Sequence, residues 1–250
     1  MAMFYEIKPK ASQFIPRLQS HRGWHQEGLF ENTLESIQKA YQMGYQMVEF
    51  DVRLLADGTV MVFHDKSIAG VLLRQLTYLE FEKHFLKLSK QLTTLKDLLD
   101  WFAHKTDQNF KLNIEIKSNK LKPSLEPTVL NLIRHFSIEK RILISSFNPF
   151  TLSYFRKNAP EIFRSLLLTQ EKHSSNNYFI RHKYFNFLAR PNALHLREVD
   201  WNLYRDRYQT LVEKNIPVVL WTVNDLEKAK IYLREGITGV ISDTIRPEEI

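Results

Sequence analysis

Short apolar runs alternate with amphipathic helical patterns along almost the whole chain, and this alternation limits the folds that the sequence can adopt. A repeated order of strand and helix is typical of an α/β fold with a parallel sheet. Nine runs have the composition of β-strands: 17–21, 46–52, 59–64, 111–116, 141–146, 164–168, 192–196, 218–223 and 239–242.

The connection between the second and third runs is too short for a parallel arrangement. Parallel neighbours need a crossover of about a dozen residues or more, whereas this link is short and contains Asp57-Gly58, a strong hairpin signal. Removing run 59–64 leaves eight strands, most of them followed by a helix. The pattern therefore predicts a (β/α)8 TIM barrel with an extra β-hairpin strand after strand 2, as a single domain over 1–250. An open doubly wound sheet is the alternative, although no GxGxxG follows any strand.

Two carboxylates, Glu49 and Asp51, interrupt the second strand, and their spacing of two residues places them on one face of it. If Asp57 and Gly58 form a two-residue turn, Asp51 lies directly opposite His64, and Glu49 shares their face because side chains alternate along a strand. A solvated polar face would give the same pattern.

A second strand strengthens the functional interpretation. Glu115 and Lys117 interrupt run 111–117 with the same period, and active sites of barrels gather at the C-terminal ends of strands. Buried carboxylates need a cation or a paired network, so a divalent ion with oxygen ligands is the simplest explanation.

Two helices have clear end signals. Asn32 and Glu35 form a predicted capping pair at the start of NTLESIQKAYQMG, and Gly44 stands at its end. Asp225 is the predicted N-cap of NDLEKAKIYLREG, with Gly236 as its stop.

Charge and cysteine content limit the possible partners. The net charge of +7 favours anionic partners, and the chain has no Cys, which excludes disulfides, thiolate metal ligands and a Cys nucleophile. The stretch 176–190 is basic and aromatic, which is compatible with peripheral membrane contact, but it carries no nucleic-acid-binding motif. We therefore expect no nucleic-acid partner. Without a signal-peptide pattern or 18 consecutive apolar residues, we expect a cytoplasmic protein that lacks a membrane span.

Several motifs in order resemble one known family. HRG (21–23), ENT (31–33), VEFDV (48–52), LADGTVMVFHD (55–65), LNIEIK (112–117), ISSF (144–147), VLWTVND (219–225) and GVISD (239–243) resemble the glycerophosphodiester phosphodiesterase family across nearly the whole chain. The resemblance implies a divalent cation, Mg²⁺ or Ca²⁺, bound by Glu49, Asp51 and Glu115. Glu31 of ENT also matches a family position and is a secondary candidate for the site, beside the metal or the basic residues. It ranks below the others because it can equally cap the following helix.

The resemblance also implies roles for the remaining motif residues. His21 and His64 match the catalytic histidine pair, with no indication of which is the acid, while Arg22 and Lys117 match phosphate-contacting positions. Phe147 and Trp221 match positions near the substrate pocket. The other seven histidines are interpreted as hydrogen-bonded core residues.

The implied reaction is cleavage of a small-molecule glycerophosphodiester to sn-glycerol 3-phosphate and an alcohol, through attack of the glycerol 2-hydroxyl and a cyclic phosphate. Three alternatives stay open: a lysophospholipase D that acts on lysophospholipids, a non-catalytic barrel that binds a phosphate ligand, and a nucleic-acid-binding protein. The alcohol group, the oligomeric state and the pathway do not follow from the sequence.

Overall fold

The eight predicted barrel strands form a closed barrel. The computed structural model describes residues 5–6, 11–86, 91–118, 124–170 and 186–250. The barrel strands are β1 (Leu18–His21), β2 (Met47–Leu54), β6 (Lys111–Ile116), β7 (Ile142–Ser146), β8 (Phe163–Leu168), β9 (Ala193–Arg197), β10 (Val218–Trp221) and β11 (Gly239–Ser242). Each pairs in parallel with its neighbours, and β1 closes the ring by pairing with both β2 and β11. The prediction of a (β/α)8 barrel is confirmed.

Most helices follow a strand and cover the outside of the barrel, whereas the first helix precedes β1 and packs with Phe14 against Phe163 of an inward-facing cluster. They are α1 (Ala11–Phe14), α2 (Leu34–Gln42), α3 (Tyr78–Leu86), α4 (Leu95–Lys105), α5 (Leu125–His135), α6 (Pro149–Asn158), α7 (Asn186–Ala189), α8 (Glu198–Leu203), α9 (Arg205–Glu213) and α10 (Leu226–Arg234). The outward residues of β2, Val48, Phe50 and Val52, are fully buried in the main core. None of the helices in the described parts of the chain has both the length and the apolar character needed to cross a bilayer.

The extra strand β3 (Val60–Val62) runs antiparallel to β2, as predicted, but in a different register. Leu55 N donates to Thr59 O at 2.9 Å, so three residues, with Gly58 at φ +88°, form the loop. Val52 pairs with Val62, which places Phe63, not His64, opposite Asp51. The prediction that Asp51 faces His64 across the hairpin is therefore wrong by one residue.

The side chain of Asp57 explains the longer loop. Its Oδ1 accepts from Thr59 N at 3.0 Å and its Oδ2 accepts from Tyr78 N at 2.6 Å, and both bonds favour a three-residue loop over a tight two-residue turn. Beyond β3, the short strands β4 (Ser67–Ile68) and β5 (Val71–Leu72) and helix α3 enclose a small separate apolar cluster.

Helix α2 begins one residue later than the predicted capping pair requires. Its N-cap is Thr33, whose Oγ1 accepts from Ser36 N at 3.1 Å while Ser36 Oγ accepts from Thr33 N at 3.3 Å. The predicted Asn32/Glu35 pair is wrong, because the Asn32 side chain is bonded to Asp51 instead. At α10 the predicted N-cap is confirmed, since Asp225 Oδ1 accepts from Lys228 N at 3.1 Å.

Candidate active site

The predicted site residues converge at one end of the barrel. His21 and Trp221 are the last residues of β1 and β10, Glu49 and Asp51 lie in β2, and Glu115 lies in β6. Lys117 follows β6 by one residue, Phe147 follows β7, and His64 comes two residues after β3. Because these strands are parallel, their C-terminal ends meet around one cavity of about 520 Å³.

Three carboxylates form the acidic centre of the site. Glu49, Asp51 and Glu115 are at most 7% exposed, and one oxygen of each lies within 4.8 Å of the others. Burial, together with the charge of Asp51, raises the pKa of Glu49 to about 8. Burial also raises the pKa of Glu115, although Lys117 opposes the shift. The carboxylates therefore repel one another strongly in the absence of a further cation.

Two cationic side chains partly compensate this charge. Lys117 Nζ lies 2.6 Å from Glu115 Oε1 and 3.1 Å from Asp51 Oδ1. Arg22 Nε lies 3.3 Å from Asp51 Oδ2, and the Arg22 backbone N–H donates to Glu49 Oε2 at 3.1 Å. Burial alone would raise the pKa of Asp51, but Lys117 and Arg22 outweigh it and hold that pKa well below its usual range.

His21 is fixed by an acidic partner on the neighbouring strand. Its Nδ1 lies 2.6 Å from Asp243 Oδ1, and its Nε2 lies 3.9 Å from Glu49 Oε2. Burial lowers the pKa of His21, but the hydrogen bond to Asp243 and the charge of Glu49 outweigh burial, so the net pKa is raised. The Nε2 atom is thereby directed toward the carboxylates.

His64 lines the same cavity although its predicted register is wrong. Its side chain is 37% exposed, and its Nδ1 lies 2.9 Å from Asp65 Oδ1. Burial lowers the pKa of His64, with Asp51 opposing and Lys117 assisting the shift. The chain leaves β3 after Val62, and this departure lets His64 reach the cavity without pairing to Asp51.

Two aromatic rings form a wall of the cavity. Phe147 and Trp221 pack edge to face with ring centroids 5.8 Å apart, and Lys117 Nζ lies 6.0 Å from the Phe147 ring. Both rings are partly exposed, so they stand at the open side of the cavity. The resemblance to the family predicts that both positions lie near the substrate pocket, and both rings line the cavity.

Glu31 contacts Arg22 and does not cap a helix. Both of its carboxylate oxygens accept from Arg22 Nη1 at 3.0 Å, and its side chain is 45% exposed. Glu31 thus lies at the edge of the site and holds the guanidinium over Asp51.

Two further residues support the site and were not among the predicted site residues. Asn32 Nδ2 donates to Asp51 Oδ2 at 3.0 Å, and Asn32 Oδ1 accepts from Asp51 N at 3.0 Å. Asp243 bonds His21 and also accepts from Asn224 Nδ2 at 2.8 Å. Both residues lie inside motifs that the sequence shows, Asn32 in ENT and Asp243 in GVISD. Asn32 is a polar residue next to the secondary candidate Glu31, and Asp243 is a polar residue directly after a barrel strand, so the sequence did contain a signal for each of them.

Other predictions have mixed outcomes. Most of the basic, aromatic stretch 176–190 lies outside the described residues. The interpretation of the remaining histidines as hydrogen-bonded core residues is wrong for His104 and His135, which are exposed, and for His195, which is buried with no partner among the described residues. His173 and His182 lie outside the described residues.

Comparison with known proteins finds relatives that match most of this chain. A glycerophosphodiester phosphodiesterase of Caldanaerobacter subterraneus subsp. tengcongensis is 26% identical over 90% of this chain and 92% of its own. A lysophospholipase D of Mus musculus is 25% identical over 94% of this chain and 81% of its own. The structure of an Oleispira antarctica phosphodiesterase in complex with the product sn-glycerol-3-phosphate superposes with a TM-score of 0.68 at 23% identity, covering 92% and 94% of the two chains.

The sequence profile of the glycerophosphoryl diester phosphodiesterase family matches residues 21–246, from the first histidine of the site to just beyond Asp243. This range contains every predicted site residue, from His21 to Trp221. The chain therefore belongs to the glycerophosphoryl diester phosphodiesterase family of enzymes.

Proposed function

We propose that the protein hydrolyses glycerophosphodiesters to sn-glycerol 3-phosphate and an alcohol, with a divalent cation and two histidines. The observation that carries the proposal is the meeting of three buried carboxylates, two cationic side chains and two imidazoles around one cavity. A phosphodiester needs charge neutralisation, a base and an acid, and each of these is present.

The carboxylate cluster fits a hard divalent ion. Glu49, Asp51 and Glu115 offer an all-oxygen donor set of the kind that Mg²⁺ and Ca²⁺ prefer. The raised pKa of Glu49 reflects its burial and the neighbouring charge of Asp51, and a bound cation would offset both. Such an ion supplies Lewis-acid polarisation of the phosphoryl group and of a nearby hydroxyl group.

Arg22 and Lys117 are suited to hold the phosphate. The guanidinium plane offers several N–H donors, and the ammonium adds a compact positive charge. Both already lie against the carboxylates, at 3.3 Å and 3.1 Å from Asp51, so a phosphate bound beside the cluster lies within their reach. Together they balance the negative charge that grows on the phosphoryl oxygens.

The two imidazoles move the protons. One takes the proton from the glycerol 2-hydroxyl, whose oxygen attacks phosphorus, and the other gives a proton to the leaving alkoxide. Water then opens the cyclic phosphate with the two roles reversed. His21, held through Nδ1 by Asp243, presents Nε2 to the site, while His64, two residues beyond β3, lines the cavity with a partly exposed side chain.

A lysophospholipase D activity is the second candidate. It needs the same residues, and the mouse relative carries that name. Its substrate differs by an acyl chain on the glycerol, so the enzyme would need room for this chain beside the aromatic wall of Phe147 and Trp221.

The proposal is tested by following glycerol 3-phosphate release from glycerophosphocholine and glycerophosphoethanolamine. Lysophosphatidylcholine is the third substrate, and its cleavage is followed by the release of choline, because its glycerol phosphate product keeps the acyl chain. EDTA should abolish turnover, and added Mg²⁺ or Ca²⁺ should restore it. His21→Ala and Glu115→Gln should each lose roughly 10²-fold or more in kcat. His104→Ala, which removes an exposed histidine on α4, is the matched control and should keep wild-type rates. Turnover that survives EDTA, or full activity in His21→Ala, would contradict the mechanism.

A further inference from the structure

A buried histidine lines the cavity without any hydrogen-bond partner. His195 is the inward residue of β9 and is 0% exposed. Neither Nδ1 nor Nε2 has a partner among the described residues. Leu167 and Ile241, which also line the cavity, are at most 4% exposed, so the ring lies in an apolar part of it.

The position of His195 is the closed end of the cavity. On the paired strands, Trp221 is level with Arg197 and Val219 is level with His195, so His195 lies one inward position deeper than Trp221. Trp221 and His64 are partly exposed at the open side, whereas His195 is not exposed at all. The cavity therefore has an open, mixed rim and a closed floor that contains this imidazole.

An unpaired imidazole at such a place calls for a particular ligand chemistry. A buried polar group without a partner is costly, so buried nitrogens are normally paired with protein, water or ligand. Burial lowers the pKa of His195 to about 3, so the ring is neutral and offers one N–H donor and one acceptor nitrogen. A hydroxyl group, which both donates and accepts, complements it. A phosphate or carboxylate does not, because it cannot donate and would bring unpaired charge into the floor.

The substrate supplies such a hydroxyl group in the right place. In the proposed function, Arg22 and Lys117 hold the phosphate beside the carboxylate cluster, because both cations already lie against Asp51. The alcohol group varies between substrates and needs the open side, so the glycerol group points toward the floor. Its 2-hydroxyl is the attacking group, which leaves the terminal hydroxyl on carbon 1 to reach farthest.

We infer that His195 binds the free terminal hydroxyl of the glycerol group and thereby selects non-acylated glycerophosphodiesters over lysophospholipids. The inference rests on the proposed function and narrows its substrate class. An acyl ester on carbon 1 has no donor for the imidazole and does not fit a closed floor. A buried water molecule is the other possible source of a hydroxyl group at this place.

The test compares two substrates that differ in one hydroxyl group. Glycerophosphocholine is set against the phosphocholine diester of propane-1,2-diol, which keeps the attacking hydroxyl but has a methyl group in place of the terminal CH₂OH. Rates are measured on the metal-loaded wild type, His195→Leu and His104→Leu, which changes an exposed histidine on α4. The wild type should prefer glycerol by roughly tenfold or more in kcat/KM, because the analogue leaves a buried imidazole unpaired. His195→Leu should lose most of this preference, and His104→Leu should retain it.

The outcomes separate the inference from the proposed function. A wild type that cleaves both diesters equally, or a His195→Leu enzyme that keeps the preference, overturns the inference and leaves a buried water molecule as the partner of His195. A wild type that cleaves no diester overturns the proposed function itself. If His195→Leu does not fold, as judged by circular dichroism, the substrate preference of the wild type still tests the inference. The second measurement is inhibition of the wild type by glycerol 3-phosphate and by its 1-deoxy analogue, of which glycerol 3-phosphate should inhibit more strongly. The inference is supported when the wild type discriminates against the propane-1,2-diol diester and also cleaves lysophosphatidylcholine poorly.

Discussion

At the scale of single residues, the side chains that touch the proposed reacting groups depend on partners that hold them in place. His21 reaches the carboxylates through Nε2 only because Asp243 binds Nδ1 at 2.6 Å, and Asp243 is in turn fixed by Asn224. The second oxygen of Asp243 is thus occupied, which leaves its Oδ1 for the imidazole. Asp243 is a positioning residue for His21.

Asp243→Asn should lower kcat while leaving KM nearly unchanged. The amide keeps the shape of the side chain but loses the negative charge that stabilises and orients the imidazolium, so we expect a loss of roughly 10-fold to 100-fold in kcat. Metal binding, followed by calorimetry, should be unaffected. Asp225→Asn is the matched control, because Asn is an equally good N-cap and this carboxylate caps α10 instead of orienting His21. An unchanged kcat in Asp243→Asn would exclude the positioning role.

His195 should make stability depend on pH. Its pKa falls from an ordinary 6.5 in an exposed histidine to about 3 in the folded chain. Below about pH 6.5 the unfolded chain binds a proton at this histidine, whereas the folded chain does not. The contribution of His195 to the free energy of unfolding is therefore full above that pH and declines as the pH falls toward 3. At pH 5.5 the loss is on the order of 1 kcal/mol.

Urea unfolding of the wild type and of His195→Leu at pH 7.5 and 5.5 measures this contribution. Groups that titrate elsewhere are common to both proteins, so the difference between their pH dependences isolates His195. The wild type should lose more stability than the variant between the two pH values. Parallel losses in the two proteins would show that His195 does not stay neutral in the folded chain.

At the scale of elements, strand positions could be predicted from sequence to within two residues, while pairing registers could not. All nine predicted strands are present, since each is a β-branched or apolar run between turn residues. The register of β2 and β3 was wrong because Asp57 binds two backbone N–H groups, one of them at Tyr78, and this enlarges the loop. That second contact comes from a distant part of the chain and has no local signal.

The same limit applies to the start of α2. Asn32, Thr33 and Ser36 are all plausible capping residues, and the local pattern did not distinguish among them. The tertiary bond from Asn32 to Asp51 decides, because it removes Asn32 from capping and leaves Thr33 to do so. The candidate site residues could be predicted from motifs. The supporting roles of Asn32 and Asp243 could not, because they depend on hydrogen bonds to residues that are distant in the sequence.

Gly23→Ala should destabilise the junction of β1 and α2. Gly23 has φ +78°, and a Cβ there would lie 2.4 Å from Ser36 Oγ and 2.7 Å from the Ser36 backbone carbon. The loop cannot move away freely, since Trp24 N donates to Ser36 O and Asn32 N donates to Arg22 O, both at 2.9 Å. We expect a loss of roughly 3 kcal/mol in the free energy of unfolding, from backbone strain and displacement of the helix.

Gly28→Ala separates the two causes. Gly28 has a similar φ of +86°, but a Cβ there meets nothing within 4 Å. It should show only the backbone term, about 1–2 kcal/mol, measured by urea unfolding under the same conditions. If both variants lose the same stability, the close contact with Ser36 does not constrain the loop that presents Arg22.

At the scale of the whole molecule, the net charge is positive, while the acidic centre of the site has more carboxylates than cationic side chains. The chain carries +7 overall, which favours the approach of an anionic phosphodiester. Within the site, however, three carboxylates face two cationic side chains, Arg22 and Lys117, so the centre lacks positive charge. A bound divalent cation would complete the neutralisation and tie β2 to β6 through their side chains.

Divalent cations should therefore raise the thermal stability of the whole barrel. A ligand that binds only the folded state at 100 times its Kd adds about 2.7 kcal/mol, which for a chain of this size corresponds to roughly 5–10 °C in Tm. Thermal unfolding is followed after EDTA treatment and again with excess Mg²⁺ or Ca²⁺. NaCl of equal ionic strength separates ion binding from charge screening, which weakens contacts between exposed charges. Glu115→Gln should lose most of the shift because it removes one of the three ligands, whereas Glu227→Gln, at an exposed position on α10, should keep it. An equal shift in NaCl, or a full shift in Glu115→Gln, would show that the carboxylate cluster does not bind the ion and that its charge is balanced by Arg22 and Lys117 alone.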